Sequence, residues 1–258
     1  MNNITRIKQL TPAILLICSC SLASQAATSD AATASINQSQ AAGETLTARQ
    51  QAIPLMAAFM ASSQMEKLDK ALNQGLDAGL TVNEAKEILV QLYAYTGFPR
   101  SLNALNVLMQ VTQARKQRGI HDIQGKEPVK PVPAGDELRR TGTENQTRIS
   151  GAPVQGPLFE FVPVINQFLQ THLFGDIFAR DNLDWQSREL ATVGALAATP
   201  GVEAQLLSHT RASLRVGLSR GQLQQLVKIL RDNGEPQAAA RAEQALLSAQ
   251  ASADKESK

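Results

Sequence analysis

Cysteine is almost absent: the 258-residue chain has two, Cys18 and Cys20, both near the N-terminus. Beyond them there is no thiol to form a structural disulfide, act as a nucleophile or ligate a metal. Aromatic residues make up 4% of the chain and are not interleaved with a basic stripe, which argues against a nucleic-acid partner. The three histidines, His121, His172 and His209, are far apart and have no cysteine beside them, so no metal signature is present. Beyond the N-terminal segment no run approaches the roughly 18 apolar residues of a membrane span. Alternating strand patterns are also missing, and Val162-Pro163-Val164 is short and interrupted by proline.

The N-terminus reads as a targeting segment. Arg6 and Lys8 precede a mostly apolar stretch, Pro12 to Leu22, and Ser24-Gln25-Ala26 offers small residues for a signal peptidase. Residues 1–26 are expected to be a signal peptide and 27–45 a flexible mature N-terminus. The protein would then be periplasmic or secreted. Ile17-Cys18-Ser19-Cys20 also resembles a lipobox, so an alternative is a lipoprotein anchored through Cys20. Removing the leader takes away Arg6 and Lys8 and no acid, which lowers the formal net charge from +2 to about zero.

The remaining punctuation is helical. Thr47-Ala48-Arg49-Gln50, Thr81-Val82-Asn83-Glu84 and Ser219-Arg220-Gly221-Gln222 match the capping-box pattern, and Gly79 and Gly217 precede two of them. Ile88, Leu89, Leu92, Tyr93 and Tyr95 follow one box on a common helical face. Leu223, Leu226, Val227 and Leu230 follow another. The same order of features occurs twice, with Gly79 and Gly97 in the first copy and Gly217 and Gly234 in the second. The pattern predicts an all-α protein of two tandem helical-hairpin repeats, residues 46–115 and 157–249. A long Pro-rich linker, 116–156, holds Pro128, Pro131 and Pro133, and residues 250–258 form a frayed tail.

Glu189 and His209 form the best candidate pair. They lie 20 residues apart, on consecutive helices joined through Thr199-Pro200-Gly201. A carboxylate on one ring nitrogen fixes the imidazole tautomer and leaves the other nitrogen to take or give a proton. The plainer alternatives are a helix histidine satisfied by a carbonyl and a first-turn carboxylate favoured by the helix dipole. At the matching first-copy positions stand Gln50 and Ala71. Any chemistry should therefore sit on the second copy.

Leu183-Asp184-Trp185-Gln186-Ser187-Arg188-Glu189-Leu190-Ala191-Thr192-Val193, then Gln205-Leu206-Leu207-Ser208-His209 and Gly217-Leu218, resembles the carboxymuconolactone decarboxylase family. Gly79-Leu80-Thr81 and Gly97-Phe98-Pro99 resemble the same family in the first copy. The resemblance implies an alkylhydroperoxidase D-like helical fold assembled as a trimer or hexamer. One branch decarboxylates a lactone without a cofactor. The other is a peroxidase branch that uses a Cys-x-x-Cys-x-x-x-His motif. With His209 at that histidine, Val202 and Gln205 occupy the cysteine positions, and Gln64 and Lys67 occupy them in the first copy. Thiol peroxidase chemistry is therefore not expected.

What remains is cofactor-free and metal-free acid/base chemistry on a small carboxylated or lactone substrate: decarboxylation, lactone hydrolysis or isomerisation. His209 would transfer the proton, Glu189 would orient it, and Arg180 or Arg188 would bind the substrate carboxylate. The alternative is a non-catalytic binding or scaffold protein of the same fold.

Overall fold

A computed structural model describes residues 44–256, with side chains described to residue 251. The expected leader, with Cys18 and Cys20, and most of the expected N-terminal stretch lie outside these residues.

All regular structure among the described residues is helical. The first repeat contains α1 (Ala48–Ala61), α2 (Met65–Asp77), α3 (Val82–Gln91), a short α4 (Tyr93–Thr96) and α5 (Phe98–Gln117). A connecting region holds α6 (Gly135–Ser150), α7 (Pro157–Phe161), α8 (Pro163–Phe168) and a π-helix, π1 (Leu169–Ile177). The second repeat contains α9 (Trp185–Ala198), α10 (Glu203–Arg215), α11 (Arg220–Asp232) and α12 (Pro236–Glu256). The first two helices of each set match in length: α1 and α9 have 14 residues each, and α2 and α10 have 13 each.

The caps explain where these helices begin. Thr47, Thr81 and Ser219 each accept a hydrogen bond from the backbone N–H three residues on. The Gln or Glu at that position bonds back, so all three expected capping boxes are formed. Gly79 and Gly217 close the preceding helices at φ +91° and +99°, a region glycine enters without strain.

The core is built around α1 and α9, the first helices of the two repeats, which pack on each other more extensively than any other pair. Every residue from Ile53 to Ala61 and from Ser187 to Ala197 is buried. Gly194 makes this crossing possible. A Cβ built there would lie 2.6 Å from the Pro54 carbonyl oxygen and 2.8 Å from Pro54 Cα. Backbone, rather than a movable side chain, fills that space.

Two expectations are modified. The helix following Thr81 does not run through Tyr95. It ends at Gln91, and a separate turn, α4, ends at Gly97 with φ +86°. That break lets Tyr95 pack against the second repeat. The linker is also not wholly irregular. Residues 118–134 lack helix, but α6 occupies 135–150 and lies along π1. Proline density ends at Pro133, and the following Gly135-to-Ser150 segment is free to coil.

Small residues bring α6 and π1 together: a Cβ on Gly142 would meet the Gln170 carbonyl oxygen at 1.6 Å. Asn145 Nδ2 donates to the Phe174 carbonyl at 2.9 Å, supporting backbone that the wider helix re-registers. The irregular segment is also pinned. Val82 and Asn83 N–H donate to Ile123 and Gln124 carbonyls, and buried Arg115 forks onto Asp122 and Asp77.

Gly194→Ala should destabilise the fold by about 2 kcal/mol despite alanine's better helix propensity, because the added methyl displaces backbone in a packed crossing. Urea denaturation of the variant measures this. Unchanged stability would show that the two central helices can separate without loss.

Candidate active site

Glu189 and His209 meet as the spacing predicts. The turn from Thr199 through Gly201 (φ +84°) to Val202 returns the chain so that α10 packs on α9. His209 Nδ1 lies 2.8 Å from Glu189 Oε2. The carboxylate is fully buried and the imidazole side chain is 15% exposed, so the ring is the pair's outlet to solvent. With Glu189 ionised, Nδ1 carries the shared proton and Nε2 is left for exchange with another molecule. The Tyr95 ring stands edge-on to the His209 ring, at 5.3 Å between centroids and 83° between planes.

Helix register corrects one pairing. Counted from the first helical residue, Glu189 is fifth in α9, and the fifth residue of α1 is Ala52 rather than Gln50. His209 and Ala71 are both seventh in their helices. The first repeat lacks both groups of the pair in either register.

The two arginines expected to receive a substrate carboxylate already hold one of the protein's own. Arg188 is fully buried and donates to Glu87 Oε1 at 2.9 Å, to Gln91 Oε1 at 3.0 Å and to the Arg180 carbonyl at 3.1 Å. Arg180 Nε contacts both Glu87 oxygens, at 2.9 and 3.0 Å. Asn182 Nδ2 donates to Glu87 Oε2 at 3.1 Å. Gln91 also donates to the Arg188 carbonyl and to the Thr192 hydroxyl. Burial alone would raise the Glu87 pKa, but Arg180, Arg188 and Asn182 hold the carboxyl below its ordinary value. Burial draws the Arg188 guanidinium down, and Glu87 opposes this. Arg188 is thus a structural cation. Arg180, about one-third exposed, lines a cleft of about 410 Å³ with Arg148, Asp184 and Trp185, and the lining includes neither Glu189 nor His209.

Glu87, Gln91 and Tyr95 are the residues that sequence reasoning did not assign to the site. Glu87 and Gln91 sit inward on α3, four residues apart, where an acid and an amide on a buried stripe were the available signal. The other histidines lie elsewhere. His172 pairs with Asp176 at 2.7 Å on π1, and His121 lines a separate surface cleft with Lys86 and Asp122. No group of three or more His, Cys, Asp or Glu suited to a metal ion occurs among the described residues.

Residues 163–251 match the model of the Carboxymuconolactone decarboxylase family. The matched stretch runs from α8 through π1 into the second repeat as far as α12. No curated protein matches the chain significantly. The match covers the Glu189–His209 pair and leaves out the first repeat. Gln64 Nε2 and Lys67 Nζ, where the redox branch would have cysteines, both bond Glu235 Oε1, at 2.8 and 2.9 Å. No described helix of this carboxymuconolactone decarboxylase domain or its neighbours is long and apolar enough to cross a membrane.

Two outcomes are expected. Glu87→Gln should cost about 3 kcal/mol at pH 7, because it leaves a buried guanidinium without its counter-charge. Since the folded Glu87 pKa is depressed, its contribution is present above the ordinary 4.5 and is lost as pH falls below it. Urea melts at descending pH should therefore show the gap between wild type and variant closing. A gap independent of pH would refute the ion-pair account. Neutral His209 should be the Nδ1–H tautomer, and Glu189→Leu should abolish that preference. Nitrogen-15 chemical shifts of the imidazole read this directly.

Proposed function

We propose that this exported, cofactor-free protein performs acid/base chemistry on a small carboxylated or lactone substrate at the Glu189–His209 pair. The observation that carries the reading is the 2.8 Å contact between a fully buried carboxylate and a histidine whose side chain stays 15% exposed. A buried carboxylate holds the imidazole in one tautomer and orientation, so Nε2 is presented at a fixed place. In a decarboxylation, loss of CO₂ leaves an enolate-like carbanion. The imidazolium then delivers the proton from Nε2 and recovers it from water, while Glu189 remains ionised and stabilises the charged ring. In lactone hydrolysis or isomerisation, neutral Nε2 takes the first proton instead. Thiol peroxidase chemistry is disfavoured, because the sequence has no cysteine beyond Cys20.

A second reading, a binding or scaffold protein of the same fold, is favoured by one observation. Both arginines expected to hold the substrate carboxylate are engaged by Glu87, and the cleft that Arg180 lines does not contain His209. Assembly as a trimer or hexamer belongs to either reading.

Incubating the purified mature protein with carboxylated lactones in D₂O separates them. Catalysis predicts deuterium incorporation or CO₂ loss, and His209→Asn and Glu189→Leu should each lower the rate by about 100-fold or more. Binding without turnover, unaffected by His209→Asn, would sink the catalytic reading in favour of the scaffold.

A further inference from the structure

Among the described residues, four buried polar side-chain atoms have no hydrogen-bond partner: Tyr95 Oη, Glu189 Oε1, Arg188 Nε and Asn182 Oδ1. Buried groups are rarely left so, because each forfeits its hydration without replacement, at about 1–3 kcal/mol. Two of the four converge on one ring. Glu189 holds His209 through Oε2, which leaves Oε1 over, and Tyr95 stands edge-on against the same imidazole. One of these atoms is a donor and the other a charged acceptor.

The surroundings narrow the choice for the Tyr95 phenol. After burial, the strongest influence raising its pKa is the charge on Glu189, so phenol and carboxylate lie within electrostatic reach of each other. Thr192, by hydrogen bonding, and the Arg188 charge both act on the phenol in the opposite direction, but the Thr192 hydroxyl already donates to the Arg188 carbonyl and accepts from Gln91. An ionised carboxylate is the stronger acceptor of the two. Gln91 and Arg188 bond each other on the far side of the network.

We propose that Tyr95 is a positioning residue for the second repeat's pair, its O–H donating to Glu189 Oε1 so that the carboxylate is held between Tyr95 and His209. This rests on the acid/base reading of that pair. It gives the first repeat a role within the site. The repeat that lacks a Glu–His pair of its own supplies, from α4, the group that fixes the carboxylate of the other. The broken helix at Leu92 is what brings Tyr95 there.

The chain has two tyrosines, Tyr93 and Tyr95, so tyrosinate absorbance at alkaline pH can be assigned, with Tyr93→Phe removing the other signal. In that background Tyr95 should stay protonated until the protein unfolds, as followed by circular dichroism. Adding Glu189→Gln should let it ionise at least about one pH unit lower, with the helical signal intact, because the opposing charge is gone. Ionisation of Tyr95 in the folded protein with Glu189 present, or a transition unmoved by Glu189→Gln, would overturn the proposal.

Should Glu189→Gln not fold, Tyr95→Phe provides the second arm. The nitrogen-15 shifts of His209 should show a weakened Nδ1–H preference, and unchanged shifts would overturn the proposal. These readouts need no substrate. Coupling of Tyr95 to Glu189 without turnover of any lactone would remove the catalytic reading and leave the positioning contact standing. Turnover with Tyr95 uncoupled would do the reverse.

Discussion

The buried ion pair between Glu87 and Arg188 is the contact on which the arrangement of the two repeats turns. One partner comes from α3 of the first repeat and the other from α9 of the second. Neither charge could be buried alone, since a lone ion in an apolar interior costs several kcal/mol. The pair is therefore a condition on assembly: α3 must lie where Glu87 meets both Arg188 and Arg180, and Gln91 must reach the Arg188 backbone. Arg188 immediately precedes Glu189, so the same condition sets the register of the candidate catalytic carboxylate.

The positions that match Glu87 and Arg188 by helix register carry no charge. Gln225 is sixth in α11 as Glu87 is sixth in α3, and Gln51 is fourth in α1 as Arg188 is fourth in α9. Gln225 accepts from the Leu46 N–H at 2.6 Å, and Gln51 donates to the Leu46 carbonyl at 2.9 Å. A neutral amide network can be satisfied by backbone, whereas the charged version needed a second charge. Matched positions thus carry different chemistry, as they also do at Gln64 and Lys67, which contact Glu235 where the second repeat has Val202 and Gln205.

Much of the fold was legible locally. Capping boxes at Thr47, Thr81 and Ser219, and glycines at 79 and 217, act over three or four residues, so their chemistry can be read without knowing the tertiary partner. The α6 helix was not legible. It follows a proline-rich stretch and is polar over much of its surface, and it is specified by the close approach of Gly142 to π1. The break after Gln91 also escaped, because Leu92, Tyr93 and Tyr95 continue an apolar helical period. Only packing against the second repeat tells a continued helix from a turn.

The sequence by itself determined the helical class, the capping boxes and the pairing of Glu189 with His209. Each depends on residue type and short-range spacing on adjacent helices. The tertiary structure decided the fate of Arg180 and Arg188 and the position of Tyr95. Those depend on Glu87 and α4, about 100 residues away along the chain. A guanidinium matches a substrate's carboxylate and a protein's carboxylate equally well, and only the burial of Glu87 beside it shows which one it holds.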